Sequence, residues 1–277
     1  MTQAAMQTVG VIGAGRMGMP IIGHLARIGF RVLVHERDAA RRDAVEAHGA
    51  TWSATLVELA THAQAILICV GFDREVRELM QAPDGLLDTA QPGTVIAILS
   101  TIHPRTVQEL ARQALQCGRG VHVIDSTVCR GGAAADKGEL LSFVGGPGDV
   151  VERIRPVLSA YSSDVVHCGG VGTAQVAKAV NNMILWACLV ADHEGLALAQ
   201  RYGVDVEALR RALLMSSATN GALEKWGTQT MAWAEDDMGI VAEMAADCAI
   251  ALPQSGVVRE ICRALKPRRY RLDQYGI

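Results

Sequence analysis

The stretch Thr8-Val9-Gly10-Val11-Ile12-Gly13-Ala14-Gly15-Arg16-Met17-Gly18 decides the reading of the fold. Its first five residues form a short, β-branched apolar run, the pattern of a buried strand. Glycines follow at 13, 15 and 18, and a helix-compatible segment runs from Met17 to Ile28 until Gly29 stops it. In a strand–turn–helix of this spacing Gly13 permits the tight turn, and Gly15 lets backbone N–H groups approach a pyrophosphate. Gly18 lets helix and strand pack closely, while the helix N-terminus faces the anion. Arg16 and Met17 lie inside the same loop and are expected at the same ligand. A lone GxGxxG is weak evidence; the strand before it and the helix after it make this one a dinucleotide site.

The next strand-like run, Phe30 to Val34, is followed by Glu36. An acid there can accept from both ribose hydroxyls of NAD and repels a 2′-phosphate. Arg37 pulls the other way, because an arginine at this point can clamp that phosphate; as an ordinary loop charge it would simply be solvated. The pair favours NAD and leaves NADP open.

Outward from this unit, strand-like runs recur at Ala65–Val70, Val95–Leu99, Val121–Ile124 and Leu141–Val144, separated mostly by helix-compatible segments. Such alternation predicts a doubly wound α/β domain with a parallel sheet covered on both faces. The texture changes near Gly169-Gly170. From Thr173 to Arg201 the chain is Ala-rich and free of proline, which predicts one unusually long helix. Beyond it Val206–Leu214, Asp237–Ala249 and Gln254–Leu265 read as helices, and no convincing strand appears. The expected organisation is a Rossmann-type domain over 1–168 and an all-helical domain over 169–277, joined by the long helix.

Composition narrows the function classes. The 277 residues are half apolar, enough for a sizeable core. A net charge of −3 supplies no basic field for nucleic acid. The longest unbroken apolar run, Met183 to Ala191, is about half of what a membrane span needs. Seven scattered cysteines without a CxxC pair read as reduced thiols, so a cytoplasmic location is expected. The histidines show no metal-ligand spacing, and no metal is expected.

Further motifs carry a family resemblance. The glycine loop with Met17 and Met19, Leu99-Ser100-Thr101-Ile102-His103-Pro104, and DSTVCRGGAAADKGELLSFVGG (Asp125 to Gly146) match in order. GTAQVAKAVNN (Gly172 to Asn182) and the segment Asp237 to Leu265 complete the set. The chain resembles the β-hydroxyacid dehydrogenases nearly end to end. That family includes 3-hydroxyisobutyrate dehydrogenase and tartronate semialdehyde reductase, with 6-phosphogluconate dehydrogenase more distant. The resemblance implies reversible hydride transfer between a nicotinamide and a small hydroxy compound. It implies Lys178 as general acid/base, with Asn182, one helical turn on, orienting substrate or lysine. It also implies Val70 and Thr101 beside the cofactor, a substrate in the cleft between domains, and a homodimer or homotetramer.

Three departures bear on the substrate. Where the family has serine and then glycine to grip a carboxylate, this chain has Cys129 and Arg130, followed by Gly131. A thiol is a poorer donor. Arg130 would either replace the grip with a charged fork or point into solvent. The family's lysine near the end is Asp236 here, and the segment between Trp226 and Asp236 is shorter than usual. The pocket is therefore expected to be less positive, taking a neutral, bulkier or amine-bearing alcohol or aldehyde unless Arg130 restores carboxylate binding. Trp226 and Trp233 are expected mainly in the core. His193 and Glu194, adjacent on the long helix, face different directions and make an improbable catalytic pair. Two rivals stay open: an imine reductase, against which Lys178 counts, and a non-catalytic dinucleotide sensor.

Overall fold

The computed structural model describes residues 6–276. Eight strands form one sheet: β1 (Thr8–Ile12), β2 (Arg31–His35), β3 (Thr51–Trp52), β4 (Ala65–Ile68), β5 (Val95–Ile98), β6 (His122–Cys129), β7 (Leu140–Gly145) and β8 (Ser162–Gly169). Their order is β3-β2-β1-β4-β5-β6-β7-β8. Because β1 lies between β2 and β4, the order reverses at β1, and the crevice beyond the C-terminal ends of β1 and β4 is a topological switch point.

Period-two alternation sorts the strand residues onto two faces. Val9, Val11, Ala65, Leu67, Val95 and Ala97 face a core with the first helix, Gly18–Arg27, and the helix Gly148–Leu158. Ile66, Ile68, Ile96 and Ile98 face the other core, which is covered by the helices Asp73–Gln81 and Pro104–Gln116. Burial on both faces accounts for the unbroken apolar runs in these strands.

The sheet is not wholly parallel, contrary to the expectation from alternation. β6 and β7 pair antiparallel, with Asp125 opposite Gly145 and Cys129 opposite Leu141. Their connection, Arg130 to Glu139, falls short of the roughly twelve residues that a parallel crossover needs. Two strands had no sequence signal. β3 is only two residues long, and β8, SSDVVHCG, lies at the sheet edge with most of its residues exposed or half-buried. β6 also continues past Ile124 through Asp125-Ser126-Thr127, polar residues that are nevertheless fully buried.

The chain divides into two compact units, 1–178 and 179–277, which meet inside the long helix Thr173–Arg201. At 29 residues this helix is long and apolar enough to cross a bilayer on length and composition. It also carries Lys178, Asn182, Asp192 and Glu194. In the second unit its residues Trp186, Leu189 and Val190 pack with Met231, Met238 and Cys262. The other longer helices of that unit are Val206–Leu213, Ala234–Asp247 and Pro253–Leu265.

His193 belongs to this core. It is fully buried, Nδ1 lies 2.7 Å from the Leu189 carbonyl, and Nε2 accepts from the Tyr270 N–H at 3.0 Å. Both ring nitrogens are satisfied only by the neutral tautomer with Nδ1–H donating, and burial lowers the His193 pKa to match. Trp226 packs on the same imidazole, 4.5 Å between centroids, whereas Trp233 is half exposed.

Candidate active site

At the end of β1, Gly13 has φ +95°, and a Cβ there would collide with the Cys69 carbonyl. A Cβ on Gly18 would collide with the Gly13 carbonyl oxygen, so the turn and the helix start exclude any larger residue. Gly15 has no heavy atom within 4 Å of the place a Cβ would take, which leaves its backbone open to a ligand. Met17 is the N-cap of the first helix and makes no side-chain capping bond, and no acid lies in that first turn. An uncapped helix N-terminus behind an open glycine backbone fits a pyrophosphate. Arg16, beside it, reaches Asp136 with two 2.7 Å bonds, and its guanidinium covers Gly132.

Glu36 follows β2 and closes over this loop. Its Oε2 accepts from the Ala14 N–H at 2.7 Å and its Oε1 from the Asp38 N–H at 3.0 Å. The carboxylate thus stands at the glycine turn, where ribose hydroxyls would meet it. Arg37 makes an ion pair with Glu75 at 2.7 Å. The other oxygen of Glu75 accepts from the Gly71 and Phe72 N–H groups, both at 3.0 Å. Arg37 is therefore largely solvent-exposed but tied to the acid of the helix after β4. Val70, at the end of β4, donates its N–H to Ser100 Oγ at 3.0 Å and so joins the β4 and β5 termini.

Beyond β5 the turn Ser100-Thr101-Ile102 is held by Gln175. Its Nε2 donates to the Ser100 carbonyl at 2.8 Å, and its Oε1 accepts from the Ile102 N–H at 3.0 Å. Thr101, half-buried, sits between the two anchored residues. Gln175 was not singled out from sequence. The available signal was its polarity in the first turns of an otherwise apolar helix, three residues before Lys178.

The polar stretch of β6 grips the start of the same helix. The buried Asp125 accepts from the Gly172 N–H at 2.8 Å and the Gln175 N–H at 2.9 Å, replacing the capping groups a helix N-terminus lacks. Burial raises the Asp125 pKa, and these backbone donors oppose the rise. Thr127 Oγ1 donates to the Ala174 carbonyl at 2.9 Å. Lys178, half-buried, donates from Nζ to the Val128 carbonyl at 2.7 Å, with the Cys129 sulfur 3.9 Å away. The ammonium is thereby fixed against the motif strand.

Arg130 has φ +84°, the left-handed region where glycine is at ease, which explains why the related motif carries glycine here. Its guanidinium reaches the Glu139 carbonyl (3.0 Å), Ser163 Oγ (2.8 Å) and the Asp164 carboxylate (2.8 Å). Hydrogen bonds from Ser163 and Arg130 hold the Asp164 pKa below its ordinary value. Neither expectation for Arg130 describes this arrangement: the charge is matched along β8 rather than offered as an open fork or left to solvent. Gly131, φ +77°, has open space around it.

In the second unit, Asn182 is buried and its Oδ1 accepts from Asn181 Nδ2 at 2.9 Å. Asp236 is exposed in the first turn of the helix Ala234–Asp247, while its neighbour Asp237 is buried and accepts from Trp186 Nε1 at 3.0 Å. Glu194 accepts from Tyr275 OH at 2.8 Å, so His193 and Glu194 have separate partners. Among the described residues no group of three or more His, Cys, Asp or Glu is placed to hold a metal ion.

Residues 8–170 match the NAD binding domain of 6-phosphogluconate dehydrogenase. Residues 172–274 match the NAD-binding domain of NADP-dependent 3-hydroxyisobutyrate dehydrogenase. The NAD-dependent L-serine dehydrogenase of Pseudomonas aeruginosa is 27% identical over 292 residues, covering 98% of this chain and 96% of that protein. The 3-hydroxyisobutyrate dehydrogenase of the same organism is 30% identical over 218 residues, 79% of this chain and 72% of its own. Among solved structures, Mycobacterium tuberculosis 3-hydroxyisobutyrate dehydrogenase with L-serine superposes with a TM-score of 0.85 at 23% identity, covering 95% of this chain and 94% of that one. An imine reductase from Myxococcus stipitatus in complex with NADP+ shares the fold at a TM-score of 0.69 and 19% identity, covering 93% of each chain. The glycine turn, the acid after β2 and the lysine held on β6 thus stand in a chain that belongs to the β-hydroxyacid dehydrogenase family and is an NAD(P)-dependent oxidoreductase.

Proposed function

We propose that this enzyme uses NAD to interconvert a small, net-neutral hydroxy compound and its carbonyl form, with Lys178 as the general acid/base. The observation that carries the reading is the Lys178 ammonium held by the Val128 carbonyl beside Cys129, in the strand that bears the substrate motif. A bound nicotinamide would supply or accept the hydride. The chain's own task is the proton. As a carbonyl carbon gains hydride its oxygen becomes an alkoxide, which an adjacent ammonium stabilises and then protonates; in oxidation the neutral amine takes the hydroxyl proton. Anchoring one N–H on Val128 restricts Nζ and leaves its other positions for substrate oxygen. Asn182 is assigned the orienting role.

NAD is preferred because Glu36 stands at the glycine turn while Arg37 is paired with Glu75. A net-neutral substrate is supported by Arg130, whose charge Asp164 already matches, and by an acid at 236. L-serine, named for one relative, is a β-hydroxy zwitterion and the first compound to try. The test is a panel followed by nicotinamide absorbance: L-serine, amino alcohols, uncharged alcohols, 3-hydroxyisobutyrate and glycerate, each with NAD and NADP. Preference for a net-neutral member supports the substrate reading; strong preference for 3-hydroxyisobutyrate or glycerate defeats it. The exposed Ile184 and Leu198 on the long helix, with Tyr202 just beyond its end, support a homodimer or homotetramer, and the scattered free thiols support a cytoplasmic enzyme.

A further inference from the structure

The first two arginines after Glu36, Arg37 and Arg41, are both engaged by acceptors. Arg41 donates to the Ala14 carbonyl at 2.7 Å and pairs with Asp38 at 3.3 Å. Arg37 has a side chain 84% exposed, yet its Nη1 is tied to Glu75. Glu75 itself is well placed to hold a cation: its side chain is 16% exposed, and two backbone N–H groups fix its other oxygen at the start of the helix Asp73–Gln81. A carboxylate already locked by two donors loses little further freedom when it binds a guanidinium, whereas a free surface glutamate would.

We propose that Glu75 is a positioning residue for dinucleotide selectivity, acting by withholding Arg37 from a 2′-phosphate. The proposal rests on the NAD preference assigned above and deepens it. Glu36 stands at the glycine turn, where it would accept from ribose hydroxyls and repel a phosphate. The adjacent Arg37 is the residue type that would offset the repulsion, since guanidinium forks grip phosphate oxygens in pairs. While Glu75 neutralises that guanidinium, rotating Arg37 toward a phosphate requires breaking an ion pair and stranding a largely buried carboxylate. Selectivity is thus divided between an acid that faces the ligand and a second acid, in the first turn of the helix Asp73–Gln81, that restrains the neighbouring cation.

Glu75→Gln separates charge from structure, because the amide oxygen still accepts from Gly71 and Phe72. Dissociation constants for NAD+ and NADP+ are measured by calorimetric titration in the wild type, Glu75→Gln, Arg37→Ala and the double variant, at one ionic strength. Glu75→Gln is expected to shift the NADP+/NAD+ affinity ratio toward NADP+ by roughly fivefold, the upper end for one exposed ion pair. The double variant is expected to lose that shift, since the released cation is what produces it. An unchanged ratio in Glu75→Gln, with the far-ultraviolet dichroism of the wild type, overturns the proposal. So does a shift that persists in the double variant. A wild type that binds NADP+ more tightly than NAD+ instead overturns the underlying NAD preference, whatever the variants do.

Discussion

Lys178 Nζ and the Val128 carbonyl oxygen are 2.7 Å apart, so the last residue of the first compact unit is bonded back to the strand that bears the substrate motif. The acceptor is backbone, and no side-chain substitution at 128 removes it. Lys178→Ala is expected to lower turnover by roughly 10² to 10⁴, the usual contribution of a positioned acid/base. NAD+ binding, followed by titration, is expected to persist. Turnover within tenfold of wild type would remove the lysine from its assigned role, and a protein with no turnover to lose would be a sensor.

Gln175 spans from the long helix to the turn after β5. Replacing it by leucine leaves the Ser100 carbonyl and the Ile102 N–H buried without their partner, at a cost of about 1–3 kcal/mol. The urea midpoint is expected to fall accordingly, and kcat with it, because Thr101 is no longer pinned on both sides. An unchanged midpoint would show that the clamp contributes nothing.

Arg130 sets backbone strain against exposed ionic contacts. A non-glycine residue in the left-handed region costs on the order of 1 kcal/mol, and the exposed, solvent-screened pair with Asp164 offsets little of it. Arg130→Ala keeps the strain and loses the contacts, whereas Arg130→Gly loses both. The glycine variant is therefore expected to be more stable than the alanine variant by about 1 kcal/mol in urea unfolding. The reverse order would mean that the positive φ relaxes.

Acidification acts on His193. Its folded pKa lies below the unfolded value of about 6.5 because burial disfavours the imidazolium. The unfolded chain binds the proton first, so the stability this group contributes is full above about pH 6.5 and is lost as pH falls toward the folded pKa. The midpoint of the second unit's unfolding should decline over that interval. In proton NMR the His193 ring resonance should titrate below the ordinary histidine range. An ordinary His193 titration would contradict the buried neutral tautomer.

How much was legible follows from which residues reported on themselves. Apolar strands buried on both faces, such as Ala65–Ile68 and Val95–Ile98, announce their burial in residue type alone. Asp125, Ser126 and Thr127 do not: polar side chains read as a strand's end, and only partners distant in the chain make their burial tolerable. β8 was missed for the opposite reason, since an exposed edge strand buries little apolar surface. Lys178 stood out because the motif Gly172 to Asn182 resembles the family's, with apolar neighbours around it, while Gln175 and Glu75 did not, being ordinary until their bonding partners are known.

By itself, the sequence determined the glycine turn, the parallel strands on either side of it, the 29-residue helix and the family, because each depends on local sterics, hydrophobic period or residue order. Tertiary structure alone decided the antiparallel turn of β7, the capture of Arg130 by Asp164 and of Arg37 by Glu75, and the grip of β6 on the long helix. Those outcomes depend on which charges and backbone donors meet across long separations. A guanidinium has no fixed role until a carboxylate is brought within reach of it.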